Sequence, residues 1–226
     1  MSVIPVITLD GPGGAGKGTV SRAIAAHLGW HYLDSGAIYR ALAIAVEDAG
    51  LDEQDTDAIS VLAQHLDLDF ALEGDHPVIL LSGRDVSGRI GVEQTGNQAS
   101  RLAALPAIRR ALLERQKAFR RAPGLVADGR DMGTVVFPDA GCKIFLTASA
   151  EVRGERRYKQ LKAKGLDVNL ADLTMEIEAR DARDRNRAEA PLKPADDAVL
   201  LDSSWLSIED VIQQVLSLAR DRLLLS

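Results

Sequence analysis

The chain has 226 residues, room for one good-sized domain or a core with attached lobes. Hydrophobic residues make up 46% of it, which excludes a globally disordered chain, and a net charge of −6 argues against a general nucleic-acid or membrane-surface binder. A lone cysteine, Cys142, rules out an internal disulfide and gives poor support for a metal cage.

In chain order, the N-terminal MSVIPVITLD has no basic flank, and no apolar run of spanning length follows, so a cytoplasmic protein without a signal peptide is expected. Val3 to Leu9 (VIPVITL) reads as a buried strand with Pro5 near its start. A glycine-rich stretch follows, and then TVSRAIAAHL, residues 19–28, has helical spacing with Gly29 as its stop. Residues 31–33 read as a second strand and residues 37–49 as a helix ended by Gly50. Residues 66–72 alternate, Glu73-Gly74-Asp75 turns, and residues 78–82 are apolar again, an antiparallel pair inside an inserted lobe of about residues 62–95. From Gln98 the text is helical, and Pro106 starts a second helix through Arg120. Residues 125–127 and 142–146 read as short buried strands. A basic helix over 153–164 stops at Gly165, another spans 170–185, and a strand at 199–201 precedes a last helix over 207–224. Strands alternating with helices imply an α/β fold with a parallel sheet covered on both faces.

The stretch Gly11-Pro12-Gly13-Gly14-Ala15-Gly16-Lys17-Gly18-Thr19 nearly matches the phosphate-binding pattern G-x-x-x-x-G-K-[ST], in the strand–loop–helix context that pattern requires. Glycines let backbone N–H groups close on anionic oxygens, and the following helix adds its partial positive charge. Lys17 adds a mobile point charge for the β- and γ-phosphates. The bland alternative is a glycine-rich turn with a surface lysine, and the flanking elements argue against it. One position departs from the pattern: Gly18 stands where a hydroxyl normally meets magnesium, and Thr19 comes one residue late. Thr19 is therefore expected at a more distal phosphate. The metal must lean on phosphate oxygens, waters and a carboxylate elsewhere.

Asp128 closes the apolar run LVAD, a Walker-B-like position able to hold magnesium through water, with a capping Asp-Gly turn as the alternative. Arg130 and Asp131 follow immediately. In Asp34-Ser35-Gly36-Ala37-Ile38-Tyr39-Arg40 a hydroxyl, free helix N–H groups and a guanidinium make a second anion site, unless Ser35 is only a cap and Arg40 only solvated. RDARDRNR, residues 180–187, is either a solvated helix face or a mobile source of guanidiniums, and Arg153, Arg156 and Arg157 are a further source. Two anion sites on one phosphate-loop core imply a donor nucleotide and a phosphorylated acceptor.

GPGGAGKGT, LDSGAIYRALA, ADGRDMGTVVFP and RDRNRAEAPL together resemble the bacterial cytidylate kinase family of nucleoside monophosphate kinases, over about residues 4–222. The resemblance implies a P-loop NTPase fold, with five parallel strands in the order 2-3-1-4-5 flanked by helices. It adds an acceptor-binding lobe at 36–100 with a small antiparallel sheet, a lid at 158–169 carrying Lys162 and Lys164, and a core made of 1–35, 101–157 and 170–226. It implies transfer of a phosphoryl group from ATP to CMP and dCMP with magnesium, by a monomer that binds neither nucleic acid nor membrane. Residues 11–19 would hold the ATP phosphates, and Ser35, Arg40 and Arg130 the CMP phosphate. Ser100, Arg109 and Asp131 would read cytosine, and Arg180 and Asp184 would bind the sugar hydroxyls. Arg187 and Arg157, with Lys17 and Arg130, would act on the transferring group, and Asp128 would hold magnesium through water. The four-and-three spacing of Arg180, Asp184 and Arg187 would put them on one helix face.

The rivals are another P-loop small-molecule kinase, such as an adenylate or shikimate kinase, and a nucleotide-dependent switch. A switch calls for a guanine-reading N-K-x-D, which the sequence lacks.

Overall fold

The computed structural model describes residues 4–73, 76–163 and 165–223; the expectations that fall on Val3, Gly74, Asp75, Lys164 and Leu224 lie outside the described residues. The chain divides into two compact units, one formed by the described residues of Met1–Asp34 and Lys117–Ser226, the other by Ser35–Gln116.

The first unit opens with β1 (Val6–Asp10), every residue of which is buried. It leads through the glycine loop into α1 (Lys17–Leu28), and Gly29 ends that helix in a left-handed conformation. β2 (His31–Asp34) follows.

The second unit begins at α2 (Ser35–Asp48), two residues before the expected start, and continues into α3 (Thr56–Gln64), which was not anticipated. The sequence signal for α3 was Asp55, whose carboxylate caps it by accepting from the Ala58 N–H. A three-stranded antiparallel sheet comes next, β3 (Leu68–Glu73), β4 (His76–Leu81) and the two-residue β5 (Arg84–Asp85). The short α4 (Ser87–Ile90), α5 (Glu93–Leu102) and α6 (Pro106–Lys117) complete this stretch. α5 starts five residues before Gln98, and α6 stops three before Arg120. Ile38, Leu42, Ile59, Leu102, Ile108 and Leu112 are fully buried here.

The first unit resumes with β6 (Leu125–Gly129), followed by one π turn over Met132–Val136. Then come β7 (Cys142–Thr147), α7 (Ala150–Ala163), α8 (Leu170–Arg185), β8 (Val199–Asp202) and α9 (Ile208–Leu223). Its five strands pair in parallel in the order β2-β6-β1-β7-β8. Counted along this sheet alone, that is the expected 2-3-1-4-5. β1 and β6 are buried along their whole length, which is why they read as continuous apolar runs rather than alternating ones. The core between sheet and helices is built from Ile7 and Leu9 of β1, Val20 and Ile24 of α1, and Val211, Val215 and Leu216 of α9. Each such side chain contributes roughly 1.5–3 kcal/mol by burial.

Two glycines set the geometry near the loop. A Cβ on Gly11, whose φ is 144°, would fall 1.9 Å from the Leu146 carbonyl oxygen, so only glycine lets the chain turn off β1 beside β7. A Cβ on Gly154 would fall 2.4 Å from Thr174 Oγ1, so this glycine sets how closely α7 and α8 pack.

Candidate active site

Lys17 opens α1 directly after the loop and is buried. Its Nζ donates to the Pro12 carbonyl at 2.8 Å, inside its own loop. Burial first, and then the Arg130 charge, lower its pKa to about 7, while Asp128 and Asp10 pull the other way. A polyphosphate beside this lysine would favour its charged form. The loop carbonyls are tied down from behind: Gly13 accepts from Arg153 Nη1 at 2.9 Å and Ala15 from Ser203 Oγ at 3.2 Å. What the loop can offer an anion is its N–H groups and the unsatisfied first turn of α1.

At the end of β6, Asp128 is buried and accepts from the Tyr32 hydroxyl at 2.6 Å. Burial, with the Asp34 charge next to it in the strand register, raises its pKa to about 6. The π turn after β6 is wrapped around Asp10, whose carboxylate accepts from the Met132 N–H at 2.8 Å and the Gly133 N–H at 2.7 Å. Burial raises Asp10 to about 7, those two bonds notwithstanding. The last residue of β1 thus fixes the turn that carries Arg130 and Asp131. Asp131 is buried at the N-terminal end of that turn.

Arg130 Nε donates to Asp184 Oδ2 at 2.8 Å. Burial opposes the Asp184 charge, but Arg130, Arg180 and Arg187 together outweigh it and hold the carboxyl below its usual range. Burial likewise opposes the Arg130 charge, and Asp184, Asp181 and Asp128 more than compensate. Lys17, Arg130, Arg180, Arg187, Asp128 and Asp184 therefore sit in one another's field within the first unit. Arg187 enters this field differently from the expectation. α8 ends at Arg185 with Asn186 as its cap, so Arg180 and Asp184 are helical while Arg187 lies beyond the helix, donating to the Ala190 carbonyl at 2.8 Å. Arg157 donates to Gln160 on its own helix at 2.7 Å. The buried arginine of that segment is Arg153, whose Nη2 meets Asp181 at 2.6 Å.

In the second unit, Ser35 is the first residue of α2, and its hydroxyl donates to Gln116 Oε1 at 2.7 Å. Arg40 lies half-buried on the same helix. Ser100 of α5 and Arg109 of α6 are buried, and the Arg109 guanidinium lies 5.9 Å from the centre of the Tyr39 ring.

Sequence reasoning missed Asp10, Tyr32, Asp181 and Ser203. Asp10 carried a signal, a carboxylate closing an apolar strand just before a glycine loop. The others have partners too distant in sequence to leave one.

A parallel sheet in the order 2-3-1-4-5, with a glycine loop and lysine after its central strand and carboxylates at the end of the neighbouring one, defines a P-loop phosphotransferase. Residues 7–221 match the family model described as Cytidylate kinase, and the chain belongs to that family. A protein named Cytidylate kinase from Methylococcus capsulatus is 62% identical over 96% of this chain and 97% of its own length. One from Stutzerimonas stutzeri is 62% identical over 97% of this chain and 96% of its own length. One from Vibrio parahaemolyticus is 57% identical over 98% of each. Among solved structures, a gluconokinase from Sinorhizobium meliloti 1021 aligns at a TM-score of 0.48 with 17% identity, over 98% of this chain and 95% of that one.

Proposed function

We infer that the protein transfers the γ-phosphoryl group of ATP to CMP and dCMP, giving ADP and CDP or dCDP. Membership of the family carries the reaction and its acceptor. The buried Lys17 in a field of guanidiniums supports the chemistry. The acceptor is already an anionic phosphate, so no strong general base is needed. Catalysis is positioning and charge stabilisation.

Residues 11–19 hold the ATP phosphates, and Lys17 exchanges the Pro12 carbonyl for a phosphate oxygen. Arg130, Arg157 and Arg187 act on the transferring group. Ser35, Arg40 and Arg130 hold the CMP phosphate. Asp131 accepts from cytosine N4, and Arg109 and Ser100 donate to O2 and N3. Arg180 and Asp184 take the sugar hydroxyls. Residues 36–100 act as the acceptor lobe, 158–169 as the lid, and the remainder as the core. In this reading the protein is a cytoplasmic monomer that needs no nucleic acid or membrane. Among the described residues no helix is long and apolar enough to cross a membrane.

Magnesium is the implied cofactor. Among the described residues no group of three or more acidic, histidine or cysteine side chains could cage a metal. Among several buried carboxylates, Asp128 stands at the end of β6, and its negative charge is opposed by burial and by Asp34 and would be relieved by a dication. That donor set fits a cation held mainly by phosphate oxygens and water, with Asp128 reached through a water. When bound, magnesium would neutralise charge that develops on the phosphates, with Asp128 as the side chain of this chain that would hold it.

A coupled assay of ADP release against CMP, dCMP, UMP, AMP and GMP tests the reading, with CMP and dCMP expected to lead. Asp131→Ala should lower kcat/KM for CMP by at least about tenfold more than for UMP, because only cytosine offers N4 hydrogens. AMP as the preferred acceptor overturns the acceptor assignment. Equal losses on CMP and UMP overturn the role of Asp131.

A further inference from the structure

Gly18 leaves a question that its own backbone does not answer. Its φ is outside the left-handed region, and it is the second residue of α1. A Cβ there would meet Arg22 Nη1 at 3.4 Å and Asp128 Oδ2 and Tyr32 Oη at 3.6 Å each, ordinary contacts all. Serine would fit, and in a helix it would be favoured over glycine. Neither conformation nor space demands the missing side chain.

What stands beside the vacant position is another hydroxyl. Tyr32 reaches from β2, where it is in register with Val126, to Asp128 two residues further along β6, and donates to Oδ2 at 2.6 Å. Its ring is braced by the Arg22 guanidinium, 5.9 Å from the ring centre and one turn after Gly18 on α1. A serine Oγ at position 18, extending about 1.4 Å beyond a Cβ that is 3.6 Å from the same carboxylate oxygen, would come within hydrogen-bonding reach of it. The phenol and the absent side chain serve one acceptor. In the ordinary loop the hydroxyl after lysine and the strand-end carboxylate hold the same magnesium, so they are neighbours.

We propose that Tyr32 supplies from β2 the hydroxyl that Gly18 lacks, and that it is a positioning residue, orienting the Asp128 carboxylate toward the cation of the nucleotide complex. The proposal rests on the assignment of Asp128 to magnesium made above. A carboxylate held on one oxygen by a short hydrogen bond keeps one rotation, and the metal-bound water meets it without reordering. The two sites are then exchangeable: a hydroxyl is needed from position 32 or from position 18, and not from both.

The test uses Mn2+ as the probe, titrated into the full-length protein with saturating ADP and read as free Mn2+ by electron paramagnetic resonance. ADP affinity is measured separately in EDTA. Tyr32→Phe keeps the ring and its contact with Arg22 and removes only the O–H. It should weaken Mn2+ binding about tenfold, the usual scale for loss of an outer-shell partner, and change metal-free ADP affinity by less than about twofold. Gly18→Ser should restore most of that loss in the Tyr32→Phe background and raise Mn2+ affinity far less when Tyr32 is present than when its hydroxyl is gone. Additive effects of the two substitutions, or equal losses of Mn2+ and metal-free ADP affinity in Tyr32→Phe, overturn the proposal. Asp128→Asn separates the two levels. If it leaves Mn2+ affinity unchanged, the metal assignment itself is wrong. If it weakens Mn2+ while Tyr32→Phe does not, only the role of Tyr32 falls.

Discussion

Arg153→Met takes a cation out of the interior of the first unit. The Arg153 and Asp181 side chains are 6% and 2% exposed and meet at 2.6 Å. Arg153 also donates to the Ala148 carbonyl and, at 2.9 Å, to the Gly13 carbonyl of the phosphate loop. Methionine keeps much of the stem and removes every donor. The Asp181 carboxylate is then stranded where water does not reach, and its Oδ1 already has no hydrogen-bond partner. Breaking a buried pair from one side costs about 3–5 kcal/mol, and a chain of this size loses roughly 2–4 °C of Tm per kcal/mol. A fall in Tm on the order of 10 °C is expected, with a matching shift in the urea midpoint. Arg153→Met/Asp181→Leu should recover at least half of it, because no charge is left unpaired. Freed from Arg153, the Gly13 carbonyl should also loosen the loop and raise KM for ATP several-fold in both variants. Calorimetry and urea titration of the two single variants and the double one close the cycle. A loss below about 1 kcal/mol in Arg153→Met, or strictly additive single losses, would refute the claim that this pair is buried and coupled.

Lys17→Ala should lower kcat by about 10²-fold or more while the protein stays folded, since Lys17 acts on phosphoryl charge and its present partner is one carbonyl of its own loop; single-turnover kinetics measure it. Asp10 gives a pH signature. Its folded pKa lies near 7 against an ordinary 3.8, so between those values the native state holds a proton that the unfolded chain has released. Its stabilisation is complete below about pH 4 and is lost as pH rises through about 7, a change on the order of a few kcal/mol. Relative to Asp10→Asn, the wild-type protein should therefore lose stability from pH 4 to 7, as read by urea midpoints; a parallel pair of pH profiles would show that Asp10 does not titrate there.

The sequence determined the parts of this protein that are local. Residues 11–19 announce a phosphate cradle because glycines, a lysine and a helix start must lie within nine residues to make one. The apolar runs at β1, β6 and β7 announce buried parallel strands because both their faces are covered. The extent of α8 was legible in the sequence, but the place of Arg187 was not, since it joins the charges around Asp184 from beyond the helix end. Other features depended wholly on the tertiary structure. Asp10 meets the Met132 and Gly133 amides across 122 and 123 residues, Tyr32 meets Asp128 across 96, and Arg153 meets Gly13 across 140. The strand order brings these groups together, and it leaves no periodicity in the chain. Each is a polar group taken out of water, so its orientation and role are set by the burial and the partners that folding supplies and not by its own chemistry alone.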